Sequence, residues 1–189
     1  MVIQMTEKGL KREKLLWSLF RHDMANKLIV SRGYIGLKMF SKAKKALDDM
    51  ENIIKLYDQF MQTDHVIEMS LEHLIDNVNE MLEGTKPEIK CQKSEMQLDP
   101  LFVAIFYNLV TNSQKHSGRD NDLVIRIEEE EGRLIFTDNG KGIDKGGKNI
   151  FGAPGHALTI IRQLGREVLN FQIQETGVFG EGVRFEITF

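Results

Sequence analysis

Three groups of residues in this chain have types and spacings suited to chemistry. The first is Asp138-Asn139-Gly140-Lys141-Gly142-Ile143, where a carboxylate closes the alternating segment Arg133-Leu134-Ile135-Phe136-Thr137 and glycines follow at once. Strand ends commonly carry ligands, and Gly140 and Gly142 permit the backbone angles and close approaches that a loop cradling a nucleotide requires. The plain alternative is an Asn-Gly turn between two strands. The second group is Asn108, Asn112, Lys115 and His116, three or four apart on a segment that reads as helix. Neutral carboxamide oxygens beside compact positive charge are what a triphosphate with magnesium needs, although the same face also makes an ordinary solvated surface. The third is His22 within Arg21-His22-Asp23-Met24-Ala25-Asn26. Asp23 can accept a hydrogen bond from one imidazole nitrogen and leave the other nucleophilic, at a pH where a histidine of pKa about 6.5 is mostly neutral. Asn26 is its neighbour one turn on, while a lone helical histidine is otherwise a plain surface residue.

These side chains need elements to position them. No proline precedes Pro87, whereas 11 of the 16 glycines follow Glu130, so the front reads as long helices and the back as strands and loops. Thr6 to Met39 reads as one helix with a broad apolar stripe of Leu10, Leu16, Trp17, Phe20, Met24, Leu28 and Ile35. A smaller patch of Leu15, Leu19 and Ile29 surrounds His22 on the other side. Ala43, Ala46, Leu47, Met50, Ile53, Ile54, Tyr57, Phe60 and Met61 give a second helix its own stripe, with Ser41 as a candidate cap. The short connection makes an antiparallel hairpin. One hairpin cannot bury both faces, so two copies should form a four-helix bundle and leave the patch around His22 for a transient partner.

A boundary near Thr63 to Val66 separates this hairpin from a helix over Met69 to Leu82, a strand over Ile89 to Gln92 and a helix opened by Asp99-Pro100. Strands follow over Leu123 to Ile127, Arg133 to Thr137, Val168 to Ile173 and Val183 to Phe189. The expected fold is α+β: an N-terminal antiparallel helical hairpin in residues 1–64, then an α/β sandwich with a mixed sheet in residues 65–189. With 189 residues, 41% of them hydrophobic, the chain can bury a real core. A net charge of −3 with mixed signs speaks against a nucleic-acid face and against a polybasic membrane patch. The single cysteine, Cys91, excludes a disulfide framework within the chain and fits a reducing compartment. No apolar run reaches the roughly 20 residues needed to span a bilayer. A cytoplasmic protein without direct membrane insertion is expected.

Taken in chain order, the motifs resemble those of sensor histidine kinases. Arg21 to Leu28 resembles the phosphoacceptor box in its His-Asp-x-x-Asn form, Asn108 to Ser117 resembles the N box, and Asp138 to Ile143 resembles the first glycine box. Gly152-Ala153-Pro154-Gly155-His156-Ala157-Leu158 resembles the second glycine box, running into a helix whose N-terminal amides suit phosphate oxygens. Ala153 and Ala157 stand where that family usually has glycine, Gly155 is shared, the lid from Gly142 to Gly152 is short, and Phe151 takes the place of the lid phenylalanine. The resemblance spans nearly the whole chain.

It implies ATP and Mg2+ as cofactors. Asn112 would ligate magnesium, Asn108, Lys115 and His116 would approach the metal and phosphates, and Asp138 would accept from the exocyclic amine of adenine. Gly140, Gly142, Gly155, Ala157 and Leu158 would complete the ATP site, while His22, Asp23 and Asn26 would form the catalytic group. The implied activity is that of a homodimeric histidine autokinase of a two-component system, which passes the γ-phosphoryl group of ATP to His22 and then to an aspartate on a response-regulator receiver domain. Two other readings stay open: a phosphotransfer relay that does not use ATP, which the altered second glycine box favours, and a regulatory ATPase related to the chaperones. Sensory segments normally precede the bundle in that family, so the chain is expected to be either a fragment or a kinase signalled by a separate sensory protein.

Overall fold

The computed structural model describes residues 7–62, 68–82, 86–119, 121–143 and 156–189. In chain order the elements are α1 (Glu7–Gly36), α2 (Phe40–Gln62), β1 (Met69–Ser70), α3 (Leu71–Met81), β2 (Glu88–Cys91), β3 (Gln97–Leu98) and α4 (Phe102–His116). Then come β4 (Val124–Glu130), β5 (Arg133–Asp138), α5 (His156–Leu164), β6 (Gln172–Glu175) and β7 (Arg184–Thr188). Contacts divide the chain into two compact units: α1, α2 and α5 make one, and the strands with α3 and α4 make the other.

In the helical unit, α1 ends where Lys38 turns to a φ of 56°. Met39 N donates to Tyr34 O at 2.8 Å and Lys38 N to Ile35 O at 2.9 Å, the paired bonds that close a helix through a left-handed residue. Glycine is usual there because a Cβ crowds the following carbonyl. The chain then folds back along α1 as α2. Leu16, Ala43, Ala46 and Tyr57 are buried in the hairpin, and the Phe20 ring meets Tyr57 at 5.1 Å and Trp17 at 5.3 Å. Part of each stripe stays open: Trp17, Leu28 and Ile35 on α1, and Leu47 and Ile54 on α2, are exposed.

The structure corrects the reading of the smaller patch. Leu15 and Leu19 are buried, Leu19 to 1% exposure, while Ile29 alone remains open at 69%. Besides α2, α1 packs against α5 within this unit, a neighbour that the hairpin reading did not include. Spacing along one helix cannot foresee a partner more than a hundred residues away.

The second unit is built on a five-stranded mixed sheet of order β2-β4-β5-β7-β6, with β2 parallel to β4 and every other pair antiparallel. Strand register puts Ile125, Ile127, Leu134, Phe136, Phe185, Ile187 and Ile173 on one apolar face, all buried. Asp138 lies opposite Ile125 in that register, so its side chain shares the covered face. α4 is buried all round over its first half, Phe102 to Val110, as a helix at the centre of a core must be. Phe102 packs on Phe106, Phe171 and Phe189 with ring centroids 5.8, 5.2 and 5.8 Å away. α4 starts at Phe102, two residues later than Asp99-Pro100 suggested; Leu101 is its N-cap without a side-chain cap bond, and Asp99 Oδ1 accepts from Leu101 N at 2.9 Å in the turn that precedes the helix. Ser70 caps α3 by accepting from His73 N. The short β1–β3 ribbon was not legible in the sequence, because two residues show no period.

Glu131 and Gly132, with φ of 50° and 75°, make a two-residue turn between β4 and β5. The strand expected from Val168 begins only at Gln172, since α5 runs on through a π-helical turn, Gly165–Leu169. Buried Ile161, Leu164 and Val168 keep helical spacing, and Asn170, with a φ of 56°, ends the helical run.

Candidate functional site

The carboxylate of Asp138 is buried at the end of β5 and is held from two directions. From α4, Ser113 Oγ donates to Oδ2 at 2.6 Å. From the turn and the segment entering β7, the amides of Gly140 and Val183 donate to Oδ1 at 2.9 and 3.0 Å. The Asp138 amide in turn donates to Val183 O at 3.1 Å, so this residue belongs to both a ladder and a loop.

The glycines of the turn serve the fold directly. A Cβ at Gly140 would lie 2.5 Å from Ser117 Cβ. Gly142 has a φ of 72° and faces the carbonyls of Gly182 and Val178, while a Cβ at Gly182 would reach 1.9 Å from Asp138 O. The loop between β6 and β7 therefore packs backbone to backbone on the Asp138 turn, and Gly180 N donates to Lys141 O at 2.7 Å to tie it there. Asn139 staples the other side: its Oδ1 accepts from Val124 N, and its Nδ2 donates to Asp122 O. That is more than the Asn-Gly turn alone requires.

Along α4 the second group emerges gradually from the core. Asn108 is buried with its Nδ2 donating to Ala104 O at 3.0 Å, Asn112 is half-buried, and Lys115 and His116 are exposed at the helix end. Partial burial lowers the His116 pKa from its ordinary value, and the ammonium groups of Lys115 and Lys141 push it the same way. A cationic neighbourhood that disfavours one more positive charge also favours an anion. Among the described residues no group of three or more His, Cys, Asp or Glu could hold a metal ion. The neutral carboxamide of Asn112 suits a magnesium ion that takes its other ligands from phosphates and water, so the donor chemistry fits the group the resemblance implies.

Asp138, Asn108, Asn112, Lys115, His116, Gly140 and Gly142 thus belong to one unit. Ala157 and Leu158 belong to α5 in the other, with Ala157 buried, and Gly155 lies outside the described residues. So do Ala153 and the lid with Phe151. His22 and Asp23 are in the middle of α1, their side chains outside the described set, and Asn26 is exposed one turn further along. Sequence reasoning missed Ser113, Gly182 and Val183. Ser113 stood inside a quoted motif, and Gly180-Glu181-Gly182 ahead of an alternating strand is a tight-loop signal, but neither reveals a bond to a carboxylate far along the chain.

Residues 97–189 match the family described as histidine kinase-, DNA gyrase B- and HSP90-like ATPase. No curated protein matches the sequence. Among solved structures, a bacterial phosphotransferase aligns at a TM-score of 0.53 and 15% identity over 98% of each chain. The histidine kinase domain of the Erythrobacter litoralis EL346 blue-light activated histidine kinase aligns at 0.51 and 17% over 94% of each chain. The Acinetobacter baumannii histidine kinase AdeS aligns at 0.51 and 16%, covering 88% of this chain and 95% of that one. Such identities establish the fold. Residues 97–189 thus carry the match to this ATPase family, and the chain as a whole has the fold of a sensor histidine kinase core.

Proposed function

We propose that the chain is an ATP-dependent protein-histidine kinase that phosphorylates itself on His22 and then phosphorylates an aspartate on a response-regulator receiver domain. The observation that supports this reading is the buried Asp138 carboxylate, held at a strand end of the ATPase-like part by Ser113 of α4, the helix that also carries Asn112, Lys115 and His116. Residues 1–64 act as the dimerisation and phosphotransfer part and residues 65–189 as the ATP-binding part. Asp138 accepts from the adenine amine, Lys115 and His116 face the phosphates, and Asn112 offers its oxygen to magnesium. Bound Mg2+ neutralises phosphate charge and orients the chain of phosphates.

Asp23 holds one imidazole nitrogen of His22 so that the other attacks the γ-phosphorus, and the bond from that phosphorus to the β,γ-bridging oxygen breaks as the N–P bond forms, releasing ADP. Positioning and charge neutralisation supply most of the catalysis that such a transfer needs. Asn26 then orients a water toward the aspartyl phosphate on the bound regulator. The second reading, a relay that takes its phosphoryl group from a regulator, draws support from Ala153 and Ala157 in the second glycine box; likeness in fold to a bacterial phosphotransferase is compatible with either.

Incubation with γ-labelled ATP and Mg2+ tests the choice. The kinase reading expects an acid-labile, base-stable label at one residue that vanishes in His22→Gln and appears far more slowly in Asp23→Asn. ATP binding without label on His22, under conditions where a phosphorylated regulator does label it, establishes the relay instead.

A further inference from the structure

We propose that Ser113 is a positioning residue for recognition of the nucleotide base, acting through Asp138; the inference rests on Asp138 being the contact to the adenine amine. A carboxylate only accepts hydrogen bonds, with about four lone-pair positions on its two oxygens. Three of them are occupied inside the fold: two on Oδ1 by the amides of Gly140 and Val183, and one on Oδ2 by the Ser113 hydroxyl at 2.6 Å. The backbone donors anchor Oδ1 alone. The carboxylate is planar, so rotation about the Cβ–Cγ bond moves both oxygens together, and Ser113 adds, from α4, the bond on Oδ2 that resists this rotation.

Ser113 and Asp138 are both buried, so solvent does not compete strongly for this bond, and a hydrogen bond to a charged acceptor is about twice as strong as a neutral one. Among the described residues nothing else donates to the carboxylate, which leaves one position on Oδ2 for a single external donor. A purine with an amino group at C6 provides that donor, whereas the same purine with hydrogen at C6 does not. Ser113 also follows Asn112 directly on α4, so the helix that carries the proposed magnesium ligand also sets the angle of the base contact.

Calorimetry on the full chain with Mg2+ compares ATP with purine riboside 5′-triphosphate, which lacks the amino group. The parent protein should prefer ATP by about tenfold, the worth of a hydrogen bond to a charged group. In Ser113→Ala that preference should collapse to near parity while affinity for purine riboside triphosphate stays unchanged. An undiminished preference in Ser113→Ala overturns the proposal, and so does an equal loss of affinity for both nucleotides, which marks a purely structural role. A parent protein that does not distinguish the two nucleotides removes Asp138 from the amine contact, and the role of Ser113 falls with it.

Discussion

At the scale of single residues, Asp138 is unusual in being both a structural acceptor and the candidate ligand contact. Its oxygens accept from Gly140, Val183 and Ser113, which would ordinarily mark a carboxylate whose only task is to brace a turn. The distinction is testable with an isosteric change. In Asp138→Asn the amide oxygen can keep both backbone donors, and the amide nitrogen can turn toward Ser113, whose hydroxyl accepts as readily as it donates. The fold should survive with a loss of about 1 to 2 kcal/mol from the weaker bonds. The position left for the base then presents a donor to a donor. ATP binding measured by calorimetry should disappear while the circular dichroism spectrum is retained; equal affinity in mutant and parent would take Asp138 out of the site.

At the scale of elements, local rules were legible wherever a period or a cap carried them. α1, α2, α3, α4 and the β4–β5 pair fell close to their expected places because apolar spacing and the Asp99-Pro100 turn signal act within a few residues. The strand expected from Val168 failed for a related reason: Leu169, Phe171 and Ile173 fit alternation, but Ile161, Leu164 and Val168 fit helical spacing, and packing decided where one gave way to the other. The turn after α1 shows a local rule broken. Lys38 occupies a left-handed position that glycine fills without strain, so Lys38→Gly should stabilise the hairpin by about 1 kcal/mol. Thermal melting of the two variants checks this, and a lower midpoint for the glycine variant would show that the Lys38 side chain contributes more than its strain costs.

At the scale of the whole molecule, what sequence could not provide was everything joined over long separations. The packing of α5 on α1 joins residues more than a hundred positions apart, and the cradle of Asp138 needed α4 and the β6–β7 loop. Assembly between copies belongs to the same class of question. Trp17, Leu28 and Ile35 with Leu47 and Ile54 leave an apolar surface on the hairpin that a second copy would cover as a four-helix bundle. Light scattering should report twice the chain mass, and Ile54→Lys should give a folded monomer because an unpaired ammonium would otherwise be buried at a cost of several kcal/mol. A monomeric parent at micromolar concentration would refute the bundle.

The bond from Val183 to Asp138 spans 45 residues, and β7 lies between β5 and β6 in the sheet. During synthesis Asp138 therefore leaves the ribosome well before its cradle can exist. Nascent chains should show no affinity for nucleotide until β7 has slotted into the gap, which makes ATP capture a report on the completion of folding.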